Sequence, residues 1–255
     1  MCSSDLGIYF MNDGKQFETI INLLQKDMKI IQRADHFSFS IDSLLVSEFA
    51  TITRTTKNII DLGTGNGVIP LFLSKKTKAK ITGIEIQSIS SALAKRNIEL
   101  NNLQEQIEII NDDMKNWNKY FRKGYFDLVV TNPPFFRFHG EEKQLNDLDQ
   151  LSLARHEISI NLNSLIETAS NLLKDKGYFV MVHRVDRLID IIETMKKYSL
   201  EPKRIQFCYT KLEKEGKILL IEGVKNGNSG LRVLSPLIAH DDDGNYSKVV
   251  LEMFK

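Results

Sequence analysis

The chain has little cysteine: Cys2 and Cys208 are the only two in 255 residues. They build no disulfide framework, and neither has metal-ligand spacing with a histidine. The five histidines are dispersed, so no zinc centre is expected and no metal is assigned. Charge of one sign is also missing, since 34 Lys and Arg against 33 Asp and Glu leave a formal net charge of +1. That excludes a strong overall field drawing in nucleic acid, and any RNA contact must come from local patches. No apolar run reaches membrane-spanning length and no signal-peptide pattern appears, which points to a cytoplasmic protein with no membrane partner. Internal repeats and low-complexity linkers are absent, and no obligate protein partner is evident. A 42% hydrophobic content over this length supports one substantial core and not a second full domain.

What is present centres on Asp127-Leu-Val-Val-Thr-Asn132-Pro133-Pro134-Phe135. The apolar residues read as a buried strand, which the two prolines stop abruptly. Proline supplies no backbone N–H and biases the residue before it towards extended geometry. The Asn132 side chain and the Pro133 carbonyl can therefore present two acceptors to one small space. A planar amine carrying two hydrogens fits that demand, and Phe135 can stack on the flat molecule bearing it. The plain alternative is a strand ending in a proline turn with a surface asparagine.

Upstream, Ile59-Ile60-Asp61-Leu62 runs into glycines at 63, 65 and 67, then into a helix through Ile69, Leu71, Phe72 and Leu73. Glycine lets the backbone turn tightly and pass close to a ligand, and the helix start beyond it favours a carboxylate or phosphate. A dinucleotide fingerprint wants its third glycine at 68, where this chain has Val68, which disfavours a nicotinamide oxidoreductase. A second strand, residues 80–85, ends in Glu85, suited to accept from both hydroxyls of a ribose. A third, residues 107–110, leads to Asp112, Asp113 and Met114. Asp113 is placed to accept from an adenine amine while Met114 lies against the ring; alternatively Asp112 or Asp113 simply caps a helix beginning near Met114. In a parallel sheet these four strand ends face one crevice, where a nucleoside with an amino-acid tail fills the first three positions.

The rest of the chain is less specific. Residues 1–10 fit poorly with the remainder and read as a non-native segment ahead of Met11 or a disordered tail. Residues 11–255 form one domain: an N-terminal cap region over 11–50, a cofactor-binding core over 51–200 and C-terminal strands over 201–255. Residues 17–31 show helical or mixed periodicity. Residues 36–42 precede a helix through Leu44, Leu45 and Phe49 with Asp42 as its cap; Phe37 and Phe39 are core, or the segment folds over the cofactor. The polar stretch 136–158, with Arg137, His139 and Arg155-His156-Glu157, has the length of a binding loop. The next helix is expected to end at Lys174-Asp-Lys-Gly177, and strands near 203–210 and 217–225 to close as an antiparallel pair. Asp241 to Asn245 is a turn without the ligand pattern of a calcium loop. Lys75, Lys76, Lys78 and Lys80 read as a solvated edge. Lys203, Arg204, Lys211, Lys214 and Lys217, flanking Phe207 and Tyr209, are the better RNA-contact candidate, with a wet surface as the alternative.

The glycine turn, the two acids and Asn132-Pro-Pro-Phe resemble the class I S-adenosylmethionine-dependent methyltransferases, in the amino-methyltransferase branch. His36-Phe-Ser-Phe-Ser-Ile-Asp42, Ala154-Arg-His-Glu157, Met181-Val-His-Arg184 and Leu234 to Tyr246 narrow the likeness. Together they resemble the bacterial methyltransferases of an adenine amine in the anticodon loop of valine tRNA, over roughly residues 11–255. The resemblance implies an α/β fold with a doubly wound, mostly parallel, seven-stranded Rossmann-like sheet and an antiparallel C-terminal strand pair. It implies S-adenosylmethionine as cofactor, S-adenosylhomocysteine as product, and a tRNA substrate. Asp61 with Gly63 and Gly65 would anchor the amino-acid tail, Glu85 the ribose, and Asp113 and Met114 the adenine. Asn132 and Pro133 would accept from the substrate amine and Phe135 would stack on the base. Methylation of a protein glutamine or another RNA amine, or a non-catalytic RNA-binding module, are the competing readings.

Overall fold

The computed structural model describes residues 18–23, 28–33, 40–134 and 162–254. Residues 1–10, Phe37, Phe39, Phe135, Arg137, His139 and Arg155-His156-Glu157 lie outside the described residues.

Hydrophobic alternation builds the centre. In β3 (Asn58–Leu62), Ile59 joins one apolar cluster while Ile60 and Leu62 join the other. β6 (Phe126–Thr131) splits the same way, Leu128 and Val130 against Phe126 and Val129. So does β7 (Leu173–Arg184), with Val180 and Val182 against Phe179 and Met181. Side chains two apart share a face, so strands apolar at every position must be covered on both sides. One face is covered by α1 (Ile41–Phe49), α2 (Val68–Lys76) and α3 (Ser88–Leu100). The other is covered by α4 (Leu162–Leu172) and α5 (Leu188–Lys197).

β4 (Lys80–Glu85), β5 (Ile107–Asn111), β8 (Leu200–Tyr209) and β9 (Ile218–Lys225) complete the seven long strands. Their order is β8-β9-β7-β6-β3-β4-β5, with the two-residue strands β10 (Arg232–Val233) and β11 (Leu237–Ile238) added on β8. β5, β4, β3, β6 and β7 run parallel, and only β9 opposes its neighbours. The chain moves outward from β3 in both directions, so the switch point lies between β3 and β6 and the crevice opens at their carboxyl ends. The expected doubly wound sheet with its closing antiparallel strands is therefore present. Among the described residues, no helix is long and apolar enough to cross a membrane.

Three local expectations need correction. The stretch read as helical or mixed is a hairpin of β1 (Glu18–Leu23) and β2 (Met28–Arg33). Two asparagines one turn apart, Asn97 in α3 and Asn101 at its C-cap, decide this. Asn97 pairs with the Ile31 backbone through its Oδ1 (2.7 Å) and Nδ2 (3.3 Å), and Asn101 does the same with Lys29 at 2.9 and 2.7 Å. These amides satisfy the outer edge of β2 as a neighbouring strand would. Asp42 does not cap α1; Ser40 holds that position without a side-chain bond, and Asp42 lies in the first turn. The helix α4 stops at Leu172 rather than at Lys174–Gly177, because Leu173 already pairs with Phe126.

Candidate functional site

The register of β3 against β6 fixes the site. Leu62 pairs with Thr131, whose hydroxyl donates to the Leu62 carbonyl at 2.8 Å. Asn132 thus leaves the sheet one residue further on, beside Gly63 at the start of the glycine turn. Asn132 is half-buried and Pro133 buried. The Asn132 Nδ2 donates to Ser43 Oγ at 3.2 Å, which ties the strand end to the first turn of α1.

The turn itself is shaped for a ligand. Gly63 and Gly65 hold φ of +74° and +56°, a region side chains disfavour, and a Cβ on either would meet nothing within 4 Å. The space above them is open. Gly67 differs: its added Cβ would lie 3.2 Å from Ala94 Cβ, so that position serves the close approach of α3. Beneath the turn Asp61 has 0% exposure, and neither carboxylate oxygen has a hydrogen-bond partner among the described residues. Burial pushes its pKa up to about 7; the Thr64 hydroxyl pulls the other way without a formed hydrogen bond, and the Glu85 charge pushes it further up. Thr64 Oγ1 and Asn66 Nδ2, in the same turn, are likewise buried and unpartnered. Buried polar atoms are costly to leave unpaired, so four of them on Asp61, Thr64 and Asn66 argue for a polar ligand with both donors and acceptors. The methionine tail of the expected cofactor, an ammonium beside a carboxylate, matches that set. Thr64 and Asn66 were not expected from sequence; only their place inside the glycine run marked them.

Glu85 has 8% exposure and is already engaged. Its Oε2 accepts from Gly65 N at 2.8 Å and its Oε1 from Gln87 N at 2.9 Å. A carboxylate has lone pairs beyond these two, so ribose hydroxyls remain compatible. The residue also holds the glycine turn, which the sequence did not reveal.

The two aspartates after β5 divide their work. Asp112 accepts from Asp113 N, Asn116 Nδ2, Lys119 Nζ and the Tyr120 hydroxyl at 2.7–3.2 Å, and these bonds hold its carboxyl far below the usual range. Asp113 caps a 3-10 helix over Met114–Lys119 by accepting from Lys115 N at 2.9 Å through Oδ1. Capping and adenine contact are compatible, because Oδ2 carries no such bond among the described residues. Met114 is 7% exposed and joins the apolar cluster of the α4 face, so it is core first.

The basic residues are dispersed. Arg204 Nε donates to Glu222 Oε1 at 2.7 Å, and its NH2 to the Phe49 carbonyl at 2.6 Å, with the guanidinium 4.6 Å from the Phe49 ring centre. It is therefore a structural residue rather than an RNA contact, because its charge is committed to a buried carboxylate. Lys203 and Lys211 donate to the carbonyls of Asn228 (3.0 Å) and Asp242 (2.7 Å). Lys76 is not part of a solvated edge either, since it donates to the Ser47 and Glu48 carbonyls at 2.8 and 3.0 Å and closes the C-terminus of α1. His183, at the crevice end of β7, accepts from Arg184 N through Nδ1 at 2.8 Å. Burial, with the Arg187 charge behind it, lowers its pKa to about 4, so the ring is neutral at pH 7. Among the described residues no group of three or more His, Cys, Asp or Glu is arranged to hold a metal ion.

The chain is similar to known proteins. The family model described as "Methyltransferase small domain" matches residues 39–198. A tRNA1(Val) (adenine(37)-N6)-methyltransferase of Shewanella putrefaciens is 23% identical over 84% of this chain and 89% of its own. One of that name from Porphyromonas gingivalis is 33% identical over 65% of each chain. In structure, the chain is similar to a predicted O-methyltransferase from Agrobacterium tumefaciens, with a TM-score of 0.67 and 19% identity over 84% of this chain and 95% of that one.

Proposed function

Because the chain belongs to the methyltransferase small domain family, as a class I S-adenosylmethionine-dependent methyltransferase, we propose that its acceptor is the exocyclic amine of an adenine in tRNA. The specific target is adenine 37, in the anticodon loop of valine tRNA. That choice of RNA draws on the names of the relatives from Shewanella putrefaciens and Porphyromonas gingivalis. The choice of an amine rests on the placement of Asn132 beside Gly63 through the Leu62–Thr131 register. This is the observation that carries the reading.

When bound, S-adenosylmethionine would supply an electrophilic methyl group on a sulfonium, with S-adenosylhomocysteine as the leaving group. The turn with Gly63 and Gly65 and the Asp61 carboxylate would hold its amino-acid tail, Glu85 its ribose, and Asp113 with Met114 its adenine. Asn132 Oδ1 and the Pro133 carbonyl each accept one hydrogen of the substrate amine. An adenine amine is a poor nucleophile because its lone pair is delocalised into the ring. Two acceptors on its hydrogens favour a pyramidal nitrogen and stabilise the positive charge that develops there. No side-chain nucleophile is needed; positioning and preformed acceptors do the work. The motif implies that Phe135 would stack on the base, which in an anticodon loop is splayed out more cheaply than in a duplex.

The test is methyl transfer from labelled S-adenosylmethionine to total tRNA and to purified valine tRNA, with digestion to nucleosides. Label appears in N6-methyladenosine of the valine tRNA. In Asn132→Ala, turnover falls at least about a hundredfold while cofactor affinity stays within about twofold. Near-normal methylation by that variant, or label in glutamine of a protein fraction, counts against the proposal.

A further inference from the structure

We propose that Ser43 is a positioning residue that holds the Asn132 side chain in place for the substrate amine. The inference rests on the reading above, in which Asn132 accepts a hydrogen from that amine.

The Asn132 amide has a donor end and an acceptor end of nearly equal shape, and only the oxygen helps an incoming NH2 group. Half a turn about its Cβ–Cγ bond aims the Nδ2 hydrogens at the hydrogens of the substrate. Pro133 offers no N–H that would hold the oxygen in either place. The side chain is tethered by Ser43, whose Oγ accepts from Asn132 Nδ2 at 3.2 Å. Oδ1 has no hydrogen-bond partner among the described residues and is left for the substrate.

Ser43 is well anchored for this task. It lies in the first turn of α1, ahead of buried Leu44, Leu45 and Val46. Its own carbonyl accepts from Ser47 Oγ at 2.6 Å, and its N–H donates to the Ser40 carbonyl at 3.2 Å. The far end of α1 is held by Lys76 on the Ser47 and Glu48 carbonyls and by Arg204 on the Phe49 carbonyl. A serine fixed at both ends of its helix presents Oγ at one place relative to β6. The Ser43 hydroxyl bonds to the Asn132 side chain, and its effect on transfer passes through that amide.

The test compares Ser43→Ala and Ser43→Thr with the wild type, in single turnovers at saturating tRNA and cofactor. Ser43→Ala loses about tenfold to a hundredfold in the rate of transfer, the range expected when a preorganising hydrogen bond is removed. Its dissociation constants for cofactor and tRNA, and its urea midpoint, stay at wild-type values. Ser43→Thr, which keeps the Oγ, recovers most of the rate. A second measurement reads the amide directly: the Asn132 side-chain resonances move in 15N spectra of Ser43→Ala. Wild-type transfer by Ser43→Ala overturns the proposal, as does a rate lost only in step with binding, or amide resonances that do not move. If Asn132→Ala itself keeps full turnover, the parent reading fails and takes this one with it. If Asn132→Ala is inactive and Ser43→Ala is not, only the positioning role fails.

Discussion

At the scale of single residues, Asp61 makes the sharpest pH prediction. A carboxylate with 0% exposure and no partner is held neutral more readily than usual, with its pKa near 7. Its folded pKa lies above its unfolded value of 3.8, so its contribution to stability is fully present below that value. The contribution is lost as pH rises towards 7, where a bare charge must be buried. An ammonium at the site reverses this by favouring the ionised form. S-adenosylmethionine therefore raises the melting temperature more at pH 8 than at pH 6. Calorimetry near pH 6.5 in buffers of differing ionisation enthalpy shows proton release on binding. Asp61→Asn abolishes the buffer dependence, and a wild-type binding heat that is the same in every buffer refutes the linkage. Glu85 acts through two links at once, the ribose and the Gly65 and Gln87 N–H groups. Glu85→Ala accordingly weakens cofactor binding by tenfold or more, roughly the loss of one to two charged hydrogen bonds. Titration calorimetry giving an unchanged affinity contradicts that assignment.

At the scale of elements, α3 joins the N-terminal hairpin to the glycine turn. Asn97 has 0% exposure and reaches both, pairing with Ile31 and donating to the Asn66 carbonyl at 2.9 Å. Asn101, one turn further, reaches Lys29 of the hairpin but not the glycine turn. The two substitutions should therefore separate. Asn97→Ala costs about 1–3 kcal/mol and lowers cofactor affinity severalfold. Asn101→Ala speeds amide exchange over residues 28–33 and leaves cofactor affinity alone. Equal effects of both on cofactor binding would show that the hairpin does not communicate through Asn97. This hairpin was not legible from its own residues. Ile20, Ile21 and the residues near them satisfy a helical spacing as well as a strand. What decides between the two is a pair of side chains 66 and 72 positions away.

At the scale of the molecule, the Arg204–Glu222 pair binds α1 to β8 and β9. Glu222, 2% exposed, accepts from Thr51 N at 2.8 Å, Thr51 Oγ1 at 2.9 Å and Arg204 Nε at 2.7 Å. Arg204 also donates to Thr51 Oγ1 at 2.9 Å. Removing the cation strands a buried carboxylate, so Arg204→Met destabilises the fold by about 3–5 kcal/mol in urea unfolding. Replacing Glu222 as well, by Leu, recovers much of that loss, since a buried pair exchanged for apolar groups is close to neutral. A single Arg204→Met that unfolds at the wild-type midpoint shows the pair to be dispensable.

The sequence by itself determined the parts whose causes are local. Apolar runs of five or six residues with alternating partners make buried strands, a glycine cluster makes a tight turn, and two prolines end a strand. Asp61, Gly63, Gly65, Glu85, Asp113 and Asn132 are therefore recognisable as carboxyl strand ends from the order of residues alone. Only the tertiary structure decided which of these face one another and what each side chain already does. It set Asn132 beside Gly63, committed Arg204 to a buried acid, and brought Ser43 to an amide 89 residues away. Contacts of that kind depend on sheet order and helix docking, which are settled by long-range packing that no short stretch of chain encodes.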